Sequence, residues 1–453
     1  MSNRLLAGSA KVDITPPLSI PYLGYEPRHA FFQGVHDPLY ARAVALDDGT
    51  TQIILITTDS LGYSNAILGP TCNFTAEVRQ RIQARTGVPV AHIMLTASHA
   101  HSTPETCHVR RLLDTPAAEP WLQVLIDQIA SAATIAFAQR KPSQLKAGAG
   151  VVEGLARNRR IIGKDGRIIG GPETTWVEPG ATAGPVDTEV GVLYLEAIDD
   201  GACTVLTNFA CHPVTVQVQP YVSADFPGAA MTLIEKSLPD CDNSLFLQGA
   251  CGDINPIRNT TDFDDVERYG LMLGGEVIKV AAQLSAPDYP TITPTIRVER
   301  ATRLLKVRDL PALEPAQQAY AEAIRQQAAA ATEAERARWA REQRLAEEKL
   351  LLIERGVEPI PAEVQVFRIG DVALVSLPGE PFAELGLTIK RRSPAHHTFV
   401  IGYANGWIGY LPTAEAWRQG GYEVGEGPWT RVGPEAGPLL VETALKLLAT
   451  LWA

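Results

Sequence analysis

Residues 191–213, GVLYLEAIDDGACTVLTNFACHP, hold two β-forming runs separated by Asp199-Asp200-Gly201. Asp-Gly between apolar, β-branched runs signals a hairpin, because glycine takes the left-handed backbone that a tight turn requires. The returning run is apolar almost throughout, as expected for a strand covered on both faces. Polar character returns only at its end, with His212. The pattern recurs twice. ARAVAL (41–46) turns at Asp47-Asp48-Gly49 into TQIILITTD (51–59), and EVQVFRI (363–369) turns at Gly370-Asp371 into VALVSLPGE (372–380).

Helical periodicity fills the intervals. FTAEVRQRIQARTG (74–87) closes on a glycine, PWLQVLIDQIASAATIAFAQRK (120–141) is longer and amphipathic, and 262–284 ends in EVIKVAAQL. Hairpins interleaved with helices predict an α/β (α+β) fold of mixed β-sheets packed with helices. The Ala-, Glu-, Gln- and Arg-rich segment 314–355 reads as two consecutive helices, with Thr332 and Glu335 forming a capping box. It is expected to be a helical-hairpin insertion over 310–358 of a single catalytic domain, 1–453. It is either a solvated arm, a lid or a contact for a homo-oligomer.

The bulk properties exclude several functions. The 453 residues carry a net charge of −11, with 45% hydrophobic and 20% charged residues. That argues against nucleic-acid binding and against an anionic membrane surface. No stretch approaches the ~20 uninterrupted apolar residues of a spanning helix, and the N-terminus lacks a signal-peptide core. A cytoplasmic location is therefore expected. The six cysteines are scattered without a CxxC, which suits free thiols rather than a disulfide frame or thiolate zinc site.

Candidate chemistry gathers at the ends of the apolar strands. TASHAHSTPE (96–105) places His99 and His101 two apart after HIML; on a strand, positions i and i+2 share a face. His212 ends the second hairpin and Glu380 follows the third. Each alone fits a structural role as well as a metal ligand. Their recurrence at strand ends is what points to a shared site. HExxH, GxSxG and GxxxxGK[ST] motifs are absent. His36, Asp37, Asp59, Asp225 and Asp253 are candidates either to hold a ligand imidazole or to cap turns.

Seven segments, in order, resemble the neutral (non-lysosomal) ceramidase family. They are AGSAKVDITPP (7–17), SHAHS (98–102), NFACHPV (208–214), SADFPG (223–228), QGACGDINP (248–256), LPGEPF (377–382), and GYANGWIGYLPT (402–413) with GGYEVG (420–425). The resemblance implies one Zn²⁺ per chain, held by His99, His212, Glu380 and Tyr410. His101 would be the acid/base, and Tyr422 and Arg159, in LARNRR (155–160), would polarise the scissile carbonyl. It further implies a small-molecule N-acyl substrate whose amide is cleaved by a metal-bound water.

One position departs from the family. The family's GDVSPN serine is replaced by Asn255, which cannot be a hydroxyl nucleophile but can bind substrate through hydrogen bonds. The signal peptide and the C-terminal β-sandwich domain of secreted ceramidases are not seen. The same metal centre also serves an esterase, a lactonase or a carbohydrate deacetylase, and a non-catalytic metal-binding relative is a further alternative.

Overall fold

The computed structural model describes residues 5–22, 30–69, 71–171 and 180–453. The principal strands are β1 (Leu6–Asp13), β2 (Tyr40–Asp47), β3 (Gln52–Thr58), β4 (Ile93–Ala97), β5 (Lys141–Val151), β6 (Glu189–Ala197), β7 (Cys203–Phe209), β8 (Cys241–Gln248), β9 (Ile296–Leu305), β10 (Ile360–Ile369), β11 (Val372–Ser376) and β12 (His397–Ile401). An eight-stranded sheet runs β8-β7-β6-β5-β1-β2-β3-β4, and a four-stranded sheet runs β9-β10-β11-β12. The fold is mixed α/β, as the hairpin pattern predicts.

All three expected hairpins form, and each belongs to a larger repeated unit. The antiparallel pair β2–β3 continues through helix α1 (Phe74–Thr86) to β4, which lies parallel to β3. The pair β6–β7 continues through α3 (Asp225–Ser237) to β8, parallel to β7. The pair β10–β11 continues through α7 (Ala383–Arg392) to β12, parallel to β11. Two parallel neighbours must end on the same side of their sheet. Each unit therefore offers two loops at one sheet edge, the position where open α/β sheets bind ligands.

The apolar runs are continuous because both sheet faces are covered. On β2–β4, Ala41, Ala43, Ala45, Ile54, Ile56, Ile93 and Leu95 face α1 and α2 (Ala118–Ala138), while Val44, Leu46, Ile53, Leu55 and Met94 face the second sheet. The other half of the large sheet packs Val190, Val192 and Val205 against α3 and α4 (Phe263–Leu284). On the small sheet, Phe367, Ile369, Leu374 and Phe399 point inward. Val364, Val366, Val375 and Val400 point outward to α7 and α9 (Ala436–Trp452). The layers are helix, sheet, sheet, helix.

Two sequence expectations shift. The helix expected over 120–141 stops at Ala138, and Lys141 opens β5. Pro142 accounts for this, since it lacks an N–H and forces the preceding residue into extended backbone. By length and composition α2 is apolar enough to cross a membrane, but half of its most apolar window is buried. Trp121, Leu122, Leu125, Ile126 and Ile129 belong to the core beneath it.

The insertion forms α5 (Leu313–Ala329) and α6 (Glu333–Glu354), between β9 and β10. Thr332 accepts from the Glu335 N–H, and the Glu335 carboxylate accepts from the Thr332 N–H, completing the capping box. A short helix, α8 (Ala414–Gln419), precedes the segment carrying Tyr422.

Phe367 is fully buried between the sheets, whereas Leu304 is 71% exposed. Phe367→Ala is expected to lower the unfolding free energy by about 3–5 kcal/mol. Leu304→Ala is expected to stay within about 0.5 kcal/mol of wild type in the same denaturant titration.

Candidate metal centre

The strand ends of the three repeated units, two in the eight-stranded sheet and one in the four-stranded sheet, converge on one point, and each delivers a candidate ligand together with the group that orients it. In the first, β4 leads to His99 and the neighbouring β3 leads to Leu61, whose carbonyl lies 2.5 Å from His99 Nδ1. In the second, β7 leads to His212 and β8 leads to Cys251, whose carbonyl lies 2.6 Å from His212 Nδ1. In the third, β11 leads to Glu380 and β12 leads to Tyr403, whose hydroxyl donates to Glu380 Oε2 at 3.3 Å. The buried Gln248 amide then ties the first two loops together, donating to the carbonyls of Ser98 and Cys211.

Carbonyl oxygens only accept, so both imidazoles carry their proton on Nδ1 and present a lone pair at Nε2. Those two nitrogens converge on one carboxylate oxygen. Glu380 Oε2 lies 3.2 Å from His212 Nε2 and 3.5 Å from His99 Nε2. Trp407 Nε1 donates to Glu380 Oε1 at 3.0 Å and fixes the carboxylate plane. His101 Nε2 stands 3.0 Å from His99 Nε2, while His101 Nδ1 faces Gln217 Oε1 at 3.1 Å. Lone pairs at this spacing repel unless a proton or a metal ion lies among them.

A proton is disfavoured. Burial, only partly offset by Glu380, pushes the His99 imidazole down to about 3. Burial and the Arg159 charge push His212 well below its ordinary range. The set suits a divalent cation: neutral imidazoles and a carboxylate, each oriented by a second partner, as metal ligands are. His99, His101 and His212 form a group whose ligand atoms lie within 4.8 Å of one another.

The remaining expected residues gather beside this group. Glu380 and Tyr410 are register partners in a short parallel pairing of Glu380–Pro381 with Tyr410–Leu411. Arg159 Nη2 donates to the Tyr410 hydroxyl at 2.9 Å and to the Gly252 carbonyl at 2.8 Å. Its Nη1 reaches Asn255 Oδ1 at 3.0 Å, and its Nε reaches Glu423 Oε1 at 2.8 Å. Four of the five guanidinium N–H groups are thus engaged. Arg159 is placed to orient Tyr410 and Asn255 more than to reach a substrate carbonyl. Burial opposes ionisation of Glu423, but Arg159 and Arg160 hold its carboxyl below the ordinary range. Tyr422 lies edge-on to Tyr410 and stacks on Trp429, and its hydroxyl makes no hydrogen bond among the described residues.

Sequence reasoning missed several members of the site. Leu61 and Cys251 act through backbone carbonyls, which no side-chain pattern announces. Tyr403 stacks on His99 at 4.0 Å as well as bonding Glu380. His99 itself is not on a strand: β4 ends at Ala97, and His99 has φ +67°. The two histidines meet through this left-handed step, not through strand alternation. Tyr403 (φ +54°), Asn405 (φ +59°) and Asp225 (φ +56°) share that backbone region. Such strain collects where a site over-determines the chain.

The acidic candidates turn out to brace loops. Asp253 accepts from Asn158 Nδ2 and the Ala383 N–H. Asp225 accepts from the Val216 N–H, beside Gln217. Asp37 accepts from Ser223 and Ala224, and it pairs with His36 at an exposed position. Asp59 accepts from the Tyr40 N–H just before the loop that carries Leu61. Burial pushes the Asp59 carboxyl up to about 6, Arg42 countering in part. A carboxyl raised in the folded state keeps its full stabilising contribution below its unfolded value of about 3.9 and loses it as pH rises through about 6. Asp59→Asn is therefore expected to be more favourable to stability at pH 7.5 than at pH 4.5, as measured by paired denaturant titrations.

The fold has counterparts among known proteins. The family model for the N-terminal part of neutral/alkaline non-lysosomal ceramidases matches residues 5–264. The neutral ceramidase of Pseudomonas aeruginosa is 23% identical over 496 positions, covering 97% of this chain and 72% of that protein. The solved neutral ceramidase of Pseudomonas aeruginosa superposes with a TM-score of 0.73 at 18% identity, over 100% of this chain and 75% of that one. A ceramidase complexed with C2 gives 0.71 at 18% identity, over 99% and 75%. The family match spans more than half of the chain, and the fold is the one these ceramidases share, so the chain belongs to the neutral/alkaline non-lysosomal ceramidase family, whose chemistry is hydrolysis of an amide bond.

Proposed function

We propose that the protein is a zinc-dependent amidase that hydrolyses the N-acyl bond of a small substrate. The observation that carries this reading is the convergence of His99 Nε2 and His212 Nε2 on Glu380 Oε2, at 3.5 and 3.2 Å. His99, His212 and Glu380, with Tyr410 as a fourth donor, would hold one ion per chain. When bound, zinc supplies Lewis acidity, which acidifies water and withdraws charge from a carbonyl oxygen.

The chain's own residues supply the rest. An amine leaves readily only once protonated, so amide cleavage needs a base that accepts a proton from water and returns it to nitrogen. His101 suits this role: Gln217 holds its Nδ1, and its Nε2 points toward His99 Nε2. Burial pushes the Tyr422 phenol well above its ordinary range, so it keeps its proton. That O–H, without a hydrogen-bond partner among the described residues and fixed by the Trp429 stack, is the donor to the developing oxyanion. Arg159 acts through Tyr410, donating to its hydroxyl and fixing the orientation of the phenol oxygen. Asn255, held by Arg159, positions substrate and is not a nucleophile.

His99→Ala and His212→Ala are each expected to lose zinc and amide hydrolysis together, read by elemental analysis and by assay on N-acyl substrates. His101→Ala is expected to keep zinc and lose roughly 10²–10⁴-fold in kcat. Zinc loss in that variant would make His101 a ligand instead. Tyr422→Phe is expected to keep zinc and lose on the order of 10²–10³-fold in kcat. If matched esters turn over and amides do not, the assignment to amides fails.

A further inference from the structure

The residue after Tyr422 is an acid buried between two bases. Arg159 Nε donates to Glu423 Oε1 at 2.8 Å, and Arg160 Nη1 donates to Glu423 Oε2 at 2.7 Å. All three side chains are buried. The two arginines follow the short strand Ala156–Asn158, which pairs with Ile254–Pro256, and the Arg159 N–H donates to the Asp253 carbonyl at 2.9 Å. Glu423 is therefore anchored to the opposite wall of the site and not to its own loop.

The turn that carries Glu423 is shaped for this anchorage. Tyr422–Val424 form a single 3₁₀ turn after Gly420 and Gly421. Gly421 has φ +103°, and a Cβ there would stand 2.8 Å from Arg160 Nη1. Arg160 Nη2 also donates to the Gly420 carbonyl at 2.8 Å, and Thr430 Oγ1 donates to the Glu423 carbonyl at 2.8 Å.

Stability is a poor explanation for such a triad. Taking three charges out of water is costly, and apolar side chains of similar volume often fold as well or better. What the triad supplies is position. Arg159 Cζ lies 5.5 Å from the centre of the Tyr410 ring and 5.9 Å from that of Tyr422. The rest of its fork holds the Tyr410 hydroxyl and Asn255. The Tyr422 hydroxyl has no hydrogen-bond partner among the described residues, so nothing there aims it. Its direction is set from the other end, by the Trp429 stack and by the turn that Glu423 anchors.

We infer that Glu423 is a positioning residue for amide cleavage: its carboxylate, held by Arg159 and Arg160, fixes the Tyr422 hydroxyl relative to Tyr410. This rests on the amidase reading above and adds the group that aims the oxyanion donor. Glu423 acts through Tyr422 and not by contact with the reacting atoms.

The test uses the full chain loaded with zinc. Glu423→Gln keeps the shape of the side chain and removes the charge that both guanidiniums grip. It is expected to keep zinc, to hold KM within about threefold, and to lose roughly 10–10²-fold in kcat. In a Tyr422→Phe background the same substitution is expected to cost less than about threefold in kcat, because the hydroxyl it aims is already gone. Unchanged kcat in Glu423→Gln, an equal loss in both backgrounds, or loss of zinc overturns the inference. Should Glu423→Gln fail to fold, Glu423→Asp keeps the charge, retracts the carboxylate by one methylene, and is held to the same pattern. Crystal structures supply a readout without turnover. The Tyr410–Tyr422 ring separation, 5.9 Å in the wild type, is expected to change by about 1 Å in Glu423→Gln. If the wild type cleaves no amide, the amidase reading fails, and a displaced Tyr422 ring still shows that Glu423 places it. If amide is cleaved and the Tyr422 ring stays where it is in Glu423→Gln, the positioning role fails and the amidase reading stands.

Discussion

Two backbone carbonyls govern this protein's candidate centre. Leu61 and Cys251 each hold an imidazole Nδ1, and in doing so they decide where two protons sit. The consequence lies on the far side of each ring, where lone pairs of His99 and His212 face a single oxygen of Glu380. Burial makes protonation of these rings unfavourable. Such a gathering of acceptors is stable only with a cation to share, which is why a buried cluster of this kind reads as a place for a metal.

The architecture explains how three distant segments reach one point. Each unit is a hairpin, a helix and a parallel strand, and parallel neighbours end together. Every unit thus supplies two adjacent loops, one bearing a candidate ligand and the other its support. The sheet–sheet core formed by Leu193, Leu245, Phe367 and Leu374 keeps the third unit facing the other two. Packing at this depth is rigid, so it fixes the ligand atoms relative to one another. Precise placement of Nε2 and Oε2 is thereby a product of apolar burial far from the chemistry.

Much of this was legible in the residues. The Asp-Gly and Gly-Asp turns marked the hairpins because few residues tolerate the backbone they need; Gly49, Gly201 and Gly370 all have positive φ. Apolar runs marked strands covered on both faces, and polar residues at their ends marked the site. Other features were hidden for physical reasons. His99 and His101 converge through a left-handed residue, which strand periodicity does not describe. Supports that act through carbonyls carry no side-chain signature. Arg159 was readable as a charge but not as a hub; only the fold reveals its engagement with Glu423, Asn255, Gly252 and Tyr410. The second role of GYANGWIGY, supplying Tyr403 and Trp407 as partners of Glu380, depends on contacts that lie outside any one motif.

The central claim is that His99, His212 and Glu380 share one metal ion. The most direct measurement is a crystal structure of the zinc-loaded protein with anomalous data collected on both sides of the zinc edge. The result expected is one anomalous peak per chain, about 2.0–2.2 Å from His99 Nε2, His212 Nε2 and a Glu380 carboxylate oxygen. A fully ordered site with no peak among these three atoms, or a peak elsewhere in the chain, would contradict the account.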